Sequence, residues 1–407
     1  MDAIAGQSSA LKWVVNLTVA ALVILWLIPT VGLFVSSFRD RDQITASGWW
    51  LAPFSVEQTF RTRADDTPPV LVGDQWIVEG NIFDTSELAD VFAEGGAEIT
   101  GFGVRGREPA AYPAGSEGET RDGGRLRIDA DGGYRFTSPN EPDARGLRIY
   151  FAANTPPDFT LDNYQTILTA QTAEERAESL GSGTSVFDLL FDEESVFRNF
   201  INTFTVTIPA TVIPILIAAF AAYALAWMEF PGRGLLIAAV VGLLVVPLQL
   251  ALVPLLNLHN QIGIGQSFVG IWMAHTGFGL PMAIYLLRNY MVGLPRDIIE
   301  SAKVDGATDF QIFTKIILPL SFPALASFAI FQFLWTWNDL LVAKVFLPSD
   351  DASKVMTVRI ADDLLGSYGG DWGILAAAAF VSIAVPVLVF FTLQRYLVRG
   401  LLAGSVK

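Results

Sequence analysis

Six stretches of this chain are each apolar for roughly 20 residues or more, the length a helix needs to cross the hydrocarbon core of a bilayer. They are 13–35, 199–228, 234–256, 267–287, 316–340 and 373–397. In lipid every backbone N–H and C=O must find its partner inside the protein, so segments of this kind fold as helices packed on helices. The reading is an all-α polytopic membrane protein with six transmembrane helices. The first stretch, Trp13 to Val35, is too long for the apolar core of a signal peptide and no small-x-small cleavage site follows it. It is therefore expected to remain as an anchor.

Charge separates the chain into parts. The net charge is -15, and between Arg39 and Arg198 there are 14 Lys/Arg against 29 Asp/Glu, which is the entire excess of acid. An acidic block argues against nucleic acid as a partner. The short segments flanking the spans tell orientation, because Lys and Arg concentrate on the cytoplasmic side. With the N-terminus inside, the short inner segments hold Lys12, Arg233, Arg288, Arg296, Lys303, Lys315, Arg395, Arg399 and Lys407, and the short outer ones only Lys344, Lys354 and Arg359. Both termini are thus expected in the cytoplasm and residues 39–195 in the periplasm. The expected parts are 1–38 with the first helix, the acidic insertion 39–195, a core 196–397 with a cytoplasmic loop 288–315, and a cytoplasmic tail 398–407.

The insertion between the first and second spans is expected to be β-rich. Gln75–Phe83, Ala97–Arg105, Arg125–Ile128, Tyr134–Thr137 and Leu147–Ala152 alternate like strands, and Asp131-Gly132-Gly133 carries a hairpin signal. Residues 107–124 are read as a mobile loop and 173–179 as a surface helix. Gly101 to Gly106 matches G-x-G-x-x-G, but no βαβ unit surrounds it, so a glycine-rich strand and turn is the reading preferred over a dinucleotide site.

Several chemistries are excluded. There is no cysteine and only two histidines, His259 and His275, which leaves no disulfide, thiolate site or His-based metal cluster. No G-x-x-x-x-G-K-[ST] loop occurs, so ATP, with its Mg, is not bound by this chain. Acidic pairs such as Asp65-Asp66 and Glu193-Glu194 have nothing to organise them for hydrolysis.

The informative segment lies between the fourth and fifth spans, from Leu294 to Pro319. Pro295 suits the first turn of a helix. Asp297 and Glu300 sit near its positive end. Gly306 permits a tight reversal where the helix stops. The product is a short helix tethered at both ends, shaped like a lever that a partner protein could push. Glu300, Ala302, Gly306, Ile316, Leu318 and Pro319 reproduce, with its spacing, the pattern E-A-A, three residues, G, nine residues, I-x-L-P. That segment resembles the "EAA" loop of binding-protein-dependent ABC importer permeases, with Ser301 replacing the middle alanine. Ala221 to Ala226, Phe230-Pro231-Gly232-Arg233, Gly279-Leu280-Pro281 and Trp337-Asn338-Asp339 resemble stretches of the sugar-importing members. The end of the chain resembles the tail of the maltose-type second permease subunit, and an insertion after the first span resembles the alpha-glucoside importer permeases.

The resemblance implies a type I ABC importer fold and a transport subunit without its own ATPase site. It implies that Glu300, Ser301, Ala302, Asp305, Gly306 and Ala307 couple to an ATP-binding subunit dimer, which holds the ATP and Mg, and that Gly404, Ser405 and Lys407 reach its interface. A second homologous permease would complete a heterodimer in the inner membrane lipid, and a periplasmic solute-binding protein would deliver the cargo to it. No Asp, Glu, Lys or Arg lies well inside a span, which disfavours proton coupling and fits a small neutral sugar. Asn202, Gln249, Asn257, His275, Gln332 and Asn338 are candidates to line the pathway; each would equally serve as an interhelical hydrogen-bonding group. Asp350, Asp351, Asp362, Asp363 and Asp371 mark an outer loop from Leu347 to Trp372, open to contact with the binding protein or to plain solvation. Two alternatives stand beside the sugar reading: a permease for a polyamine or organophosphate, and a membrane-anchored periplasmic assembly or sensor protein.

Overall fold

The computed structural model describes residues 10–64, 68–84, 98–120, 122–142, 147–364 and 371–403. It divides into two compact units, 1–163 and 164–407. The sequence-based boundary of the acidic region at 195 therefore moves. Residues after 163 belong with the helical unit, because Tyr164, Ile167 and Leu168 pack against Val196, Met356, Leu364 and Ile374.

The first unit opens with helix α1 (Ala10–Ser36), about 40 Å long at 1.5 Å per residue. Just beyond it the buried Arg39 folds the chain back. Its Nη2 donates to Gln43 O and Ser47 Oγ, closing α2 (Arg41–Ala46). Among the described residues nine strands follow: β1 (Val56–Ala64), β2 (Val70–Val72), β3 (Gln75–Asn81), β4 (Glu98–Gly103), β5 (Tyr112–Pro113), β6 (Glu117–Glu119), β7 (Arg125–Ile128), β8 (Gly133–Ser138) and β9 (Leu147–Thr155). They form a four-stranded sheet ordered β1-β9-β4-β5 and a five-stranded sheet ordered β2-β3-β8-β7-β6. Alternating side chains from both sheets meet in one core, with Phe102, Ile149 and Phe151 from the first and Leu126, Ile128 and Phe136 from the second.

All five expected strands are present. The hairpin at Asp131 to Gly133 joins β7 to β8, with Gly132 at φ +87°. The stretch 107–124, read as a loop, instead contributes β5 and β6. Gly118 lies opposite Leu126, and a side chain there would meet Phe102 and Tyr112. The G-x-G-x-x-G stretch ends β4 and turns back. A β-carbon on Gly103 would fall 1.9 Å from the Glu108 carbonyl oxygen, so glycine serves a close backbone approach.

The second unit is helical. Short segments α3 (Asp162–Thr169, begun at the unit boundary), α4 (Ala173–Gly181) and α5 (Val186–Leu190) lead into α6 (Val196–Trp227). Then come α7 (Arg233–Leu243), α8 (Leu248–Gln261), α9 (Phe268–Val292), α10 (Arg296–Val304), α11 (Asp309–Ile312), α12 (Leu318–Leu320), α13 (Phe322–Trp337), α14 (Leu341–Phe346), α15 (Met356–Arg359) and α16 (Trp372–Ala403). The α4 helix is the expected surface helix, exposed along its length and opened by a capping box between Thr172 and Glu175. Four helices, α1, α6, α9 and α16, are individually long and apolar enough to cross a membrane. The third and fifth expected spans are bent: α7 meets α8 at 109°, and 309–320 meets α13 at 69°. Pro247, which has no N–H to give, ends the turn before α8. Pro319 and Pro323 flank the second bend at Ser321.

Candidate functional site

The segment singled out by its spacing folds as a compact double arm. Helix α10 starts at Pro295 and exposes Asp297 in its first turn and Lys303 in its last, both favourable to the helix dipole. One side of it is anchored. Ile299 is 3% exposed and, with Ala302 and Ala307, packs into a core of Ala222 and Tyr223 from α6, Leu287 and Met291 from α9, and Phe313 and Phe328. The other side faces out. Asp297, Glu300, Ser301, Val304 and Asp305 line an open depression of about 440 Å³, and Val304 is 87% exposed.

The reversal after α10 is a Schellman motif. Gly306 has φ +82°, its N–H donates to Lys303 O at 3.0 Å, and the Ala307 N–H donates to Ala302 O at 3.0 Å. These bonds satisfy the last carbonyls of the helix. Thr308 then caps α11 reciprocally with Gln311, a pairing legible in the sequence as Thr-x-x-Gln. From Phe313 to Ile317 the chain widens into a π-turn before α12, a local distortion that recurs at functional sites.

Two of the other noted stretches, through Ala222, Tyr223 and Leu280, share this core. The Tyr223 hydroxyl donates to Asp309 Oδ1 at 3.4 Å. Gly232, at φ +85°, turns the chain so that Arg233 folds back. Its Nε donates to Leu225 O at 2.9 Å and its Nη2 to Ala226 O at 3.0 Å, filling orphaned carbonyls at the end of α6.

The candidate pathway residues scatter. Gln249, Asn257 and Asn338 are exposed, and Asn338 Nδ2 donates to Leu334 O of its own helix. Asn202 instead holds the loop after α14, donating to Ala352 O at 2.8 Å and Lys354 O at 2.9 Å. Gln332 is buried and donates to Ala210 O at 3.1 Å; Gly279 makes room for it, since a β-carbon there would lie 2.8 Å from Gln332 Oε1. His275 is fully buried with Nε2 3.8 Å from Asp339 Oδ2, beside a cavity of about 10 Å³ lined also by Thr207 and Thr336. Sequence reasoning quoted Asp339 in a motif and missed this juxtaposition, which only packing creates.

The acids between Leu347 and Trp372 are mostly engaged. Asp350 accepts from Ser353 N, Asp351 pairs with Lys354 at 2.6 Å, Asp362 pairs with Lys344, and Asp371 accepts from Gly373 N at 3.1 Å. The Lys354 ammonium donating to Asp351 holds its carboxyl below the usual range. Gly404, Ser405 and Lys407 lie outside the described residues.

Residues 194–402 match the family described as binding-protein-dependent transport system inner membrane component. The chain is 53% identical over 408 residues, 98% of each partner, to the alpha-glucoside transport system permease protein AglG of Rhizobium meliloti. It is 60% identical over 208 residues, 51% of this chain and 70% of the relative, to the osmoprotective compounds uptake permease protein GgtD of Synechocystis sp.. A solved structure of a bacterial ABC transporter involved in the import of the acidic polysaccharide alginate aligns with 21% identity and a TM-score of 0.44, over 60% of this chain and 81% of that one. The long apolar helices and the family match define a membrane transport subunit. The chain belongs to the binding-protein-dependent transport system inner membrane component family, as a transport component and not an enzyme.

Proposed function

We propose that this chain is the permease subunit that carries an alpha-glucoside, a small neutral sugar, across the inner membrane. One observation carries the cargo: the 53% identity to AglG runs through 98% of both chains, so the β-rich insertion is shared as well as the helical unit. Each bent helix pair is read as one broken span, which makes six with α1, α6, α9 and α16. The positive residues of the short loops support cytoplasmic termini and a periplasmic insertion.

In this reading α10 and its reversal receive the push. An ATP-binding subunit dimer, holding ATP and Mg, closes on the face formed by Asp297, Glu300, Ser301, Val304 and Asp305. Ile299 and Ala302 pass the displacement into the core where α6, α9 and α13 meet. A second, homologous permease completes the pathway, and a periplasmic solute-binding protein loads it from the side of the 350–359 segment, which Asn199, Asn202 and Thr203 clamp to the start of α6.

Uptake of labelled maltose, in cells carrying the intact chain or Gly306→Val at equal membrane amounts, tests this. Uptake and co-purification of the ATP-binding subunit should both collapse in the variant; unchanged uptake overturns the coupling role. The 60% identity to GgtD supports a second cargo, an osmoprotective compound. Competition of maltose uptake by unlabelled osmolytes separates the two.

A further inference from the structure

Among the described residues the longer helices carry six interior prolines, Pro29, Pro209, Pro214, Pro254, Pro281 and Pro386, and at three of them a side chain from another helix meets the debt left in the ladder. A proline at position i has no N–H for the carbonyl of residue i-4, so Pro209, Pro214 and Pro386 orphan the carbonyls of Thr205, Ala210 and Ser382. In lipid no water replaces the missing donor. Each of these carbonyls accepts a hydrogen bond from a side chain on another helix. Trp272 Nε1 of α9 donates to Thr205 O at 2.9 Å, Gln332 Nε2 of α13 to Ala210 O at 3.1 Å, and Trp337 Nε1 at the end of α13 to Ser382 O at 2.9 Å.

The coincidence is threefold and the surroundings are shaped for it. Trp337 is 1% exposed, with its ring held among Phe200, Phe204 and Phe333. Gly279 vacates the volume that Gln332 occupies. Indole and amide N–H groups enclosed in an apolar helix bundle need an acceptor; a carbonyl in a regular helix already accepts from the N–H four residues on, whereas a proline-freed carbonyl has no such partner.

We propose that Trp272, Gln332 and Trp337 are positioning residues that replace the N–H groups removed by Pro209, Pro214 and Pro386, tying three proline-interrupted points into one linked set of four helices, α9–α6–α13–α16. Helix α13 grips α6 through Gln332 and α16 through Trp337, and it begins at the bend beyond the coupling arm. Motion entering at that arm is therefore handed to both neighbours at the points where their own ladders are interrupted. The transmission part of this statement rests on the importer reading; the hydrogen-bond part does not.

The test is a set of double-mutant cycles on the assembled complex with its ATP-binding and partner subunits. Trp337→Phe removes the donor, and Pro386→Ala removes the need for it. Two quantities are read: the thermal midpoint of the purified complex, and the maximal rate and half-saturation of maltose uptake. Trp337→Phe should lower the midpoint and cut the maximal rate roughly tenfold with little change in half-saturation, as expected when a buried carbonyl loses its partner away from the solute. In the Pro386→Ala background the same change should leave the midpoint where Pro386→Ala alone put it. Additive losses in midpoint, or no loss on Trp337→Phe, overturn the proposal, since ring packing alone would then explain the residue. If Trp337→Phe does not assemble, the cycle of Gln332→Met with Pro214→Ala makes the same prediction with a side chain of similar length. The thermal cycle is independent of cargo, so non-additive midpoints with no maltose uptake in the intact complex would count against the sugar reading alone.

Discussion

Gly306 shows what one residue decides. Its φ of +82° is reached freely only without a β-carbon, and nothing lies within 4 Å of where that carbon would sit. The constraint is therefore backbone conformation and not crowding. A residue that tolerates the left-handed region should be milder than one that does not: Gly306→Asn should keep most uptake, while Gly306→Val loses about 1–2 kcal/mol in the reversal and with it most uptake at equal membrane amount. Equal losses for the two would show that the side chain meets the partner directly. Asp351 gives a second test. Its carboxyl is held below the usual range by Lys354, so its contribution is present above about pH 4, the unfolded value, and fades as pH falls through the lower folded value. Hydrogen exchange in 350–359, corrected for intrinsic rate, should rise between pH 6 and pH 3 in the native protein, and Asp351→Asn should show the raised rate already at pH 6.

At the scale of elements, α10 has two faces with separable consequences. Ile299→Ala empties a site that is 3% exposed and should cost about 2–5 kcal/mol in stability, seen as a lowered thermal midpoint. Val304→Ala changes a side chain that is 87% exposed and should alter stability by less than about 0.5 kcal/mol, yet weaken retention of the ATP-binding subunit during purification. A matching drop in midpoint for both would deny α10 a free face. The existence of this helix and its stop at Gly306 were legible because each depends on residues within four positions. The two bends were not: 234–256 and 316–340 read as continuous apolar spans, and hydropathy carries no direction. Whether a Pro or Ser inside such a run ends a helix, kinks it or starts a new one depends on what packs beside it.

At the scale of the molecule, the two units carry separate cores. Phe151 is fully buried among residues of both sheets in the first unit, so Phe151→Ala should cost about 3–5 kcal/mol there. Limited proteolysis should then cut within 52–155 while fragments of 164–403 stay protected; simultaneous loss of both would mean that they fold as one.

The sequence by itself determined the membrane-spanning character, the acidic β-rich region and the short helix that stops at Gly306, because apolar run length, two-residue alternation and helix-stop signals are local properties. Only the tertiary structure decided the use of the polar residues inside the bundle. Asn202 holds a loop, Gln332 and Trp337 serve proline-freed carbonyls, and His275 faces Asp339. A buried polar side chain takes whichever partner the packing brings near, and that partner lies 45 to 152 residues away along the chain for these groups.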